Sequence, residues 1–179
     1  TPTIKIHQSH DRHLYYPYHM AEMLIDDFLF NNFNQLYRSR KISLLDSLDA
    51  EIRRNLAELK SDFIKDNILY RKAAMQMVVN NDNGKKVINQ FFNKQDILYS
   101  QPAYMNLFQE VFANYLSSAQ FQPSELRRQL YSGHDNFLKY IKENDAFLAE
   151  NQDLAELIIA WDLKRLYYEF PDDKKQVID

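Results

Sequence analysis

Two glycines and five prolines among 179 residues constrain this chain more than any motif does. Tight β-hairpins draw on glycine for their positive-φ positions, so a fold built from hairpins has too few turns to work with here. The prolines punctuate helices instead. Pro17, Pro102 and Pro123 stand where a helix would begin, and Pro171 stands where one would stop. The expected class is all-α, an irregular multi-helix bundle of about six to eight helices. Thr3-Ile4-Lys5-Ile6 alternates briefly and reads as a short N-terminal strand remnant. Residues 1–16 are expected to be a linker or the end of an upstream domain, and 17–179 a single α-helical domain. The opening Thr1-Pro2-Thr3 lacks the basic start and apolar core of a signal peptide, so the chain reads as a portion of something longer.

Apolar spacing places the helices. Ala21, Leu24, Ile25, Phe28, Leu29 and Leu36 recur at helical intervals after Pro17. Ser43 and Asp46 form a capping pair ahead of Leu44, Leu45, Leu48, Ile52, Leu56 and Leu59. A third helix starts near Ser61 and closes at Asn80-Asn-Asp-Asn-Gly84, whose short polar residues and glycine tolerate the left-handed conformation. Val87, Ile88, Phe91 and Phe92 mark a short fourth helix, and Pro102 opens a fifth. Pro123 starts another that ends at Ser132-Gly133, and short pieces follow at 137–141 and 146–149. The last long helix spans about 153–170. Leu154, Leu157, Ile158, Ile159 and Trp161 make it apolar on more than one side, the pattern of a central core helix.

Charge and composition exclude several classes. A formal charge of −3, with 22 basic against 25 acidic residues, gives no surface for neutralising phosphates, and no nucleic-acid partner is expected. The longest purely apolar run, Leu157 to Trp161, is far short of a membrane span. The absence of cysteine removes disulfides, thiolate nucleophiles and thiolate metal ligands together.

The remaining chemical patterns are sparse. His7, His10 and His13, with His19 beyond, have the spacing of ligands, but no rigid element or fixed carboxylate accompanies them, and no metal is expected there. Aligning Gly84 with the invariant glycine of a calcium loop puts Val79 at the first ligand position and Gln90 where a bidentate glutamate belongs, so that pattern fails at both ends. No nucleophile elbow or phosphate-cradling loop exists, so neither a catalytic residue nor a cofactor is expected. Asp26-Asp27, Asp172-Asp173 and Glu150 with Asp153 read as exposed surface. Tyr15-Tyr16, Tyr18, Tyr99, Tyr104 and Tyr167-Tyr168 invite a stacking platform, although most aromatics fall at core spacing.

One segment resembles a known family. Asp96-Ile-Leu-Tyr-Ser-Gln-Pro-Ala-Tyr-Met-Asn-Leu-Phe108, preceded by Phe91-Phe92 and followed by Phe112-Ala-Asn-Tyr115, is similar to the helical middle segment of Bacteroidetes TlpA-type thioredoxin-like (thiol-disulfide) envelope proteins. Asn144 to Tyr168 resembles the downstream part of that segment, and Phe63 to Ala74 fits its order. Gln101 departs from the asparagine expected before the proline, leaving Ser100 as the alternative cap. In that family a β-domain precedes the helices and a Cys-x-x-Cys thioredoxin domain follows. No position here can take over those cysteines. The resemblance implies a periplasmic or cell-envelope location and a non-catalytic helical spacer or interaction domain, meeting a protein partner or adjoining domains of its parent. The alternative is a ligand- or peptide-binding helical module with an aromatic-lined groove.

Overall fold

The computed structural model describes residues 12–57, 60–80, 84–117 and 121–169, the side chains of 12–14 and 165–169 excepted. Among the described residues the protein is all-α, with nine α-helices and no strand. They are α1 (Arg12–Phe33), α2 (Ser43–Asn55), α3 (Asp62–Asn80), α4 (Lys85–Phe91), α5 (Pro102–Phe112), α6 (Pro123–Tyr131), α7 (His134–Asn144), α8 (Ala146–Glu150) and α9 (Gln152–Glu169). The strand remnant expected at Thr3–Ile6 lies outside the described residues, as do His7 and His10. Two compact units divide the chain, one within 1–87 and 98–107, the other within 88–97 and 108–179.

In the first unit α1, α2 and α3 meet around one apolar core. Ala21, Ile25 and Phe28 of α1, Leu44, Leu45 and Leu48 of α2, and Ile64, Ile68, Met75 and Val79 of α3 are all buried in it. The apolar intervals of the sequence give each helix this inward stripe, because residues three or four apart share a face. Two departures are local. Helix α1 begins at Arg12, so residues 12–16, expected in a linker, are helical and Pro17 lies inside the helix. The Ser43–Asp46 capping pair does not form: Ile42 precedes α2 in a helical conformation, the Leu44 and Leu45 amides bond back to Lys41 and Ile42, and Asp46 remains as a first-turn carboxylate favoured by the helix dipole.

After α1 the backbone widens into a π-helical turn, Asn34–Arg38, closed by the Ser39 amide on the Asn34 carbonyl at 3.1 Å. The extra residue lets Leu36 reach the core while Tyr37 stacks on Phe33 with ring centroids 4.6 Å apart.

Helix α3 is also buried on a second side, where the Tyr70 ring meets Tyr104 of α5 edge-on at 5.2 Å. Burial raises the pKa of both phenols, assisted by Asp66 at Tyr70 and by Tyr70 and Tyr99 at Tyr104. The folded protein therefore keeps these protons after the unfolded chain has begun to release them near pH 10. Stability from these two groups is complete below that pH. Above it, each is expected to remove stability as pH rises until its folded-state pKa is passed, at no more than about 1.4 kcal/mol per pH unit, Tyr104 the more. Alkaline urea melts of Tyr104→Phe check this; a slope with pH equal to that of the parent chain refutes it.

The second unit is organised by α9, which packs against α7, α8 and the 3₁₀ turn Tyr115–Ser117. Leu154, Ala155, Ile158 and Ile159 are buried, as the two-sided apolar pattern of this helix requires. Phe92, Phe108 and Phe112 form an aromatic cluster, with Phe112 centred 5.1 Å from Phe92 and 5.2 Å from Phe108.

Candidate functional site

Buried polar groups are the first place to look for chemistry. In the second unit they hold backbone. Asp145, at the N-cap of α8, accepts the Leu148 amide at 3.1 Å through Oδ1 and the Tyr115 hydroxyl at 2.9 Å through Oδ2. Asp162 on α9 accepts the Leu116 amide at 3.2 Å. The two carboxylates thus grip neighbouring residues of the same 3₁₀ turn from α8 and α9. Asn151, between those helices, donates to the Phe147 carbonyl at 2.7 Å and accepts the Lys94 amide, fixing Lys94 at a φ of 55°. These carboxylates tie backbone amides and a tyrosine hydroxyl in place, as buried polar groups ordinarily do.

In the first unit Gln101 answers the question raised by its replacing an asparagine. Its amide nitrogen donates to the Phe63 carbonyl at 2.9 Å, joining the start of α5 to the first turn of α3. The longer glutamine side chain serves this tie instead of a cap. Arg71 of α3 reaches α1, hydrogen-bonding Asp26 at 2.6 Å and pairing with Glu22 at 2.9 Å. Asp26 is thereby held in an ion pair, while Asp27 beside it is exposed. Glu150 pairs with Lys94 at 2.9 Å, and both are exposed.

The other sequence candidates separate in the same way. His19 is exposed, with its ring against Tyr15 at 4.3 Å, and His13 has no described side chain. Among the described residues no group of three histidines or carboxylates could hold a metal ion. Tyr15, Tyr16 and Tyr99 are exposed, whereas Tyr104 is buried in the α3–α5 contact. A groove of about 380 Å³ runs along α7, lined by Asp135, Leu138, Lys139, Lys142 and Glu143, and so by charge rather than aromatic rings. No described helix is long and apolar enough to cross a membrane.

Among the described residues, six of the eleven exposed large apolar side chains lie on α1 and its π-helical extension. Helix α1 is apolar on two opposite sides. One side carries Ala21, Ile25 and Phe28 into the core. The other presents Tyr16, Met23 and Phe30, 69%, 57% and 83% exposed, and continues through Phe33 to Tyr37 on the π-helical turn. A seven-residue step on an α-helix drifts by only ~20°, so Tyr16, Met23 and Phe30 lie on one nearly straight line. The signal was present in the sequence as a heptad of large apolar residues, but spacing alone does not distinguish it from the inward stripe on the opposite side. Asp26 and Asp27 flank this line on its two sides, Asp26 paired with Arg71 and Asp27 exposed. Comparison with protein-family models, curated proteins and solved structures finds no match to this chain.

Proposed function

We propose that the chain is a non-catalytic helical spacer and interaction domain that works through the outer face of α1. The observation that carries this reading is that face itself: six large apolar or aromatic side chains, Tyr15, Tyr16, Met23, Phe30, Phe33 and Tyr37, exposed on one helix and its π-helical extension. Large apolar side chains gathered on one face, rather than scattered singly, mark an interaction site. The engagement of Asp145, Asp162 and Asn151 with backbone supports the non-catalytic part. Placement in an exported thioredoxin-like envelope protein rests on the resemblance of 96–108 and its flanking segments alone. Under that placement the redox chemistry belongs to a separate cysteine-bearing domain.

If the outer face serves interaction, folding does not need it. The double substitution Met23→Ser with Phe30→Ser is expected to change the unfolding free energy of dilute protein by less than about 0.5 kcal/mol, the range of ordinary surface changes. A loss above about 2 kcal/mol, read from Trp161 fluorescence in urea at nanomolar concentration, overturns the reading, because it shows these side chains packed within the chain.

A further inference from the structure

Resting on that interaction reading, we infer that the occupant of the outer α1 face is a second copy of this chain, joined through a two-fold axis.

The area is sufficient. At ~200 Å² for a large side chain, the exposed fractions of the six residues leave about 700 Å² of apolar-rich surface. A stable interface takes about 800 Å² from each partner, which flanking residues such as Asn31 and Asn34, both exposed, readily supply. Composition agrees as well. Tyrosine, phenylalanine and methionine are the residues enriched at interface centres; of the charged residues depleted there, lysine and glutamate are absent from the line and aspartate stands only at its edges, as Asp26 and Asp27.

The shape of the surface favours the same patch on another copy. Tyr16 to Tyr37 spans about 30 Å at 1.5 Å per residue, the reach of a helix face rather than of a small-molecule site. Two such faces pack by interleaving their side chains, and an isologous two-fold contact is the commonest way for one patch to meet its own kind. Charge permits the approach. Asp26 at one edge of the line is engaged by Arg71, Asp27 at the other edge is exposed to solvent that screens it, and the cations Arg38, Arg40 and Lys41 lie beyond Tyr37.

Light scattering or sedimentation of the whole chain from about 1 to 200 μM tests the inference. The mass is expected to rise with concentration from 21.5 kDa toward twice that value. Phe30→Asp, at the most exposed position of the line, is expected to weaken association at least about thirty-fold, as loss of an interface hot spot does. Met23→Asp should act in the same direction, which guards against a folding defect peculiar to one variant, and circular dichroism checks both. Tyr99→Asp, an exposed tyrosine off α1, should leave the dimer intact. A mass of 21.5 kDa throughout overturns the inference, and so does a dimer indifferent to both α1 substitutions. Either result leaves the interaction reading to its own test, because that one measures the stability of the isolated chain.

Discussion

Phe112→Ala is expected to remove about 4 kcal/mol of unfolding free energy, the largest loss from any single substitution considered for this protein. Phe112 is wholly buried and lies within ring-contact distance of Phe92, Phe108 and Tyr115. Truncation forfeits the transfer energy of the ring and opens a cavity that flanking aromatics on α5 cannot collapse into without leaving their own packing. Edge-to-face geometry with Phe92, at 85° between planes, adds a further contribution that aliphatic replacement would not restore. A urea midpoint measured beside that of Phe30→Ala makes the comparison internal. The exposed phenylalanine should cost less than about 0.5 kcal/mol in dilute protein. A loss of under about 1 kcal/mol at Phe112 would show that the aromatic cluster is not the core of the second unit.

Asp145→Ala is expected to cost about 3 kcal/mol, while Asp145→Asn should retain most of the stability. Alanine removes the N-cap of α8, ordinarily worth ~1 kcal/mol, and leaves the half-buried Tyr115 hydroxyl without this acceptor, at roughly 1–3 kcal/mol more. Asparagine caps a helix as well as aspartate does, and its carbonyl oxygen keeps one of the two acceptors. Chemical denaturation of the two variants side by side distinguishes a structural tie from a role of the charge itself. Equal losses for alanine and asparagine would mean that the negative charge matters more than the hydrogen bonds.

Much of the fold was readable from residue spacing. The starts of α5 and α6 at Pro102 and Pro123, the stop at Gly133 with its φ of 105°, and the long α9 followed from local rules. The same rules failed where a tertiary contact outweighed a local preference. Ser43 had the right partner for a capping box, yet Ile42 enters α2 in a helical conformation and the box is not used. Gln101 looked like a poor cap because its amide was needed by Phe63 across to α3. For the candidate site the sequence held the heptad Tyr16, Met23, Phe30, Tyr37, but spacing alone shows a row of apolar residues without showing whether anything covers it.

Helical character, the want of cysteine chemistry and the absence of a polyanion-binding charge balance were determined by the amino-acid order and composition, since each depends on residue type and neighbours a few positions away. Which apolar row of α1 faces inward, and which acid ties down a turn, was decided only by tertiary structure. Both rows of α1 satisfy helical periodicity equally. Only the arrival of α2 and α3 against Ala21, Ile25 and Phe28 breaks the tie, because removing apolar surface from water depends on what lies across the gap rather than on position along the chain.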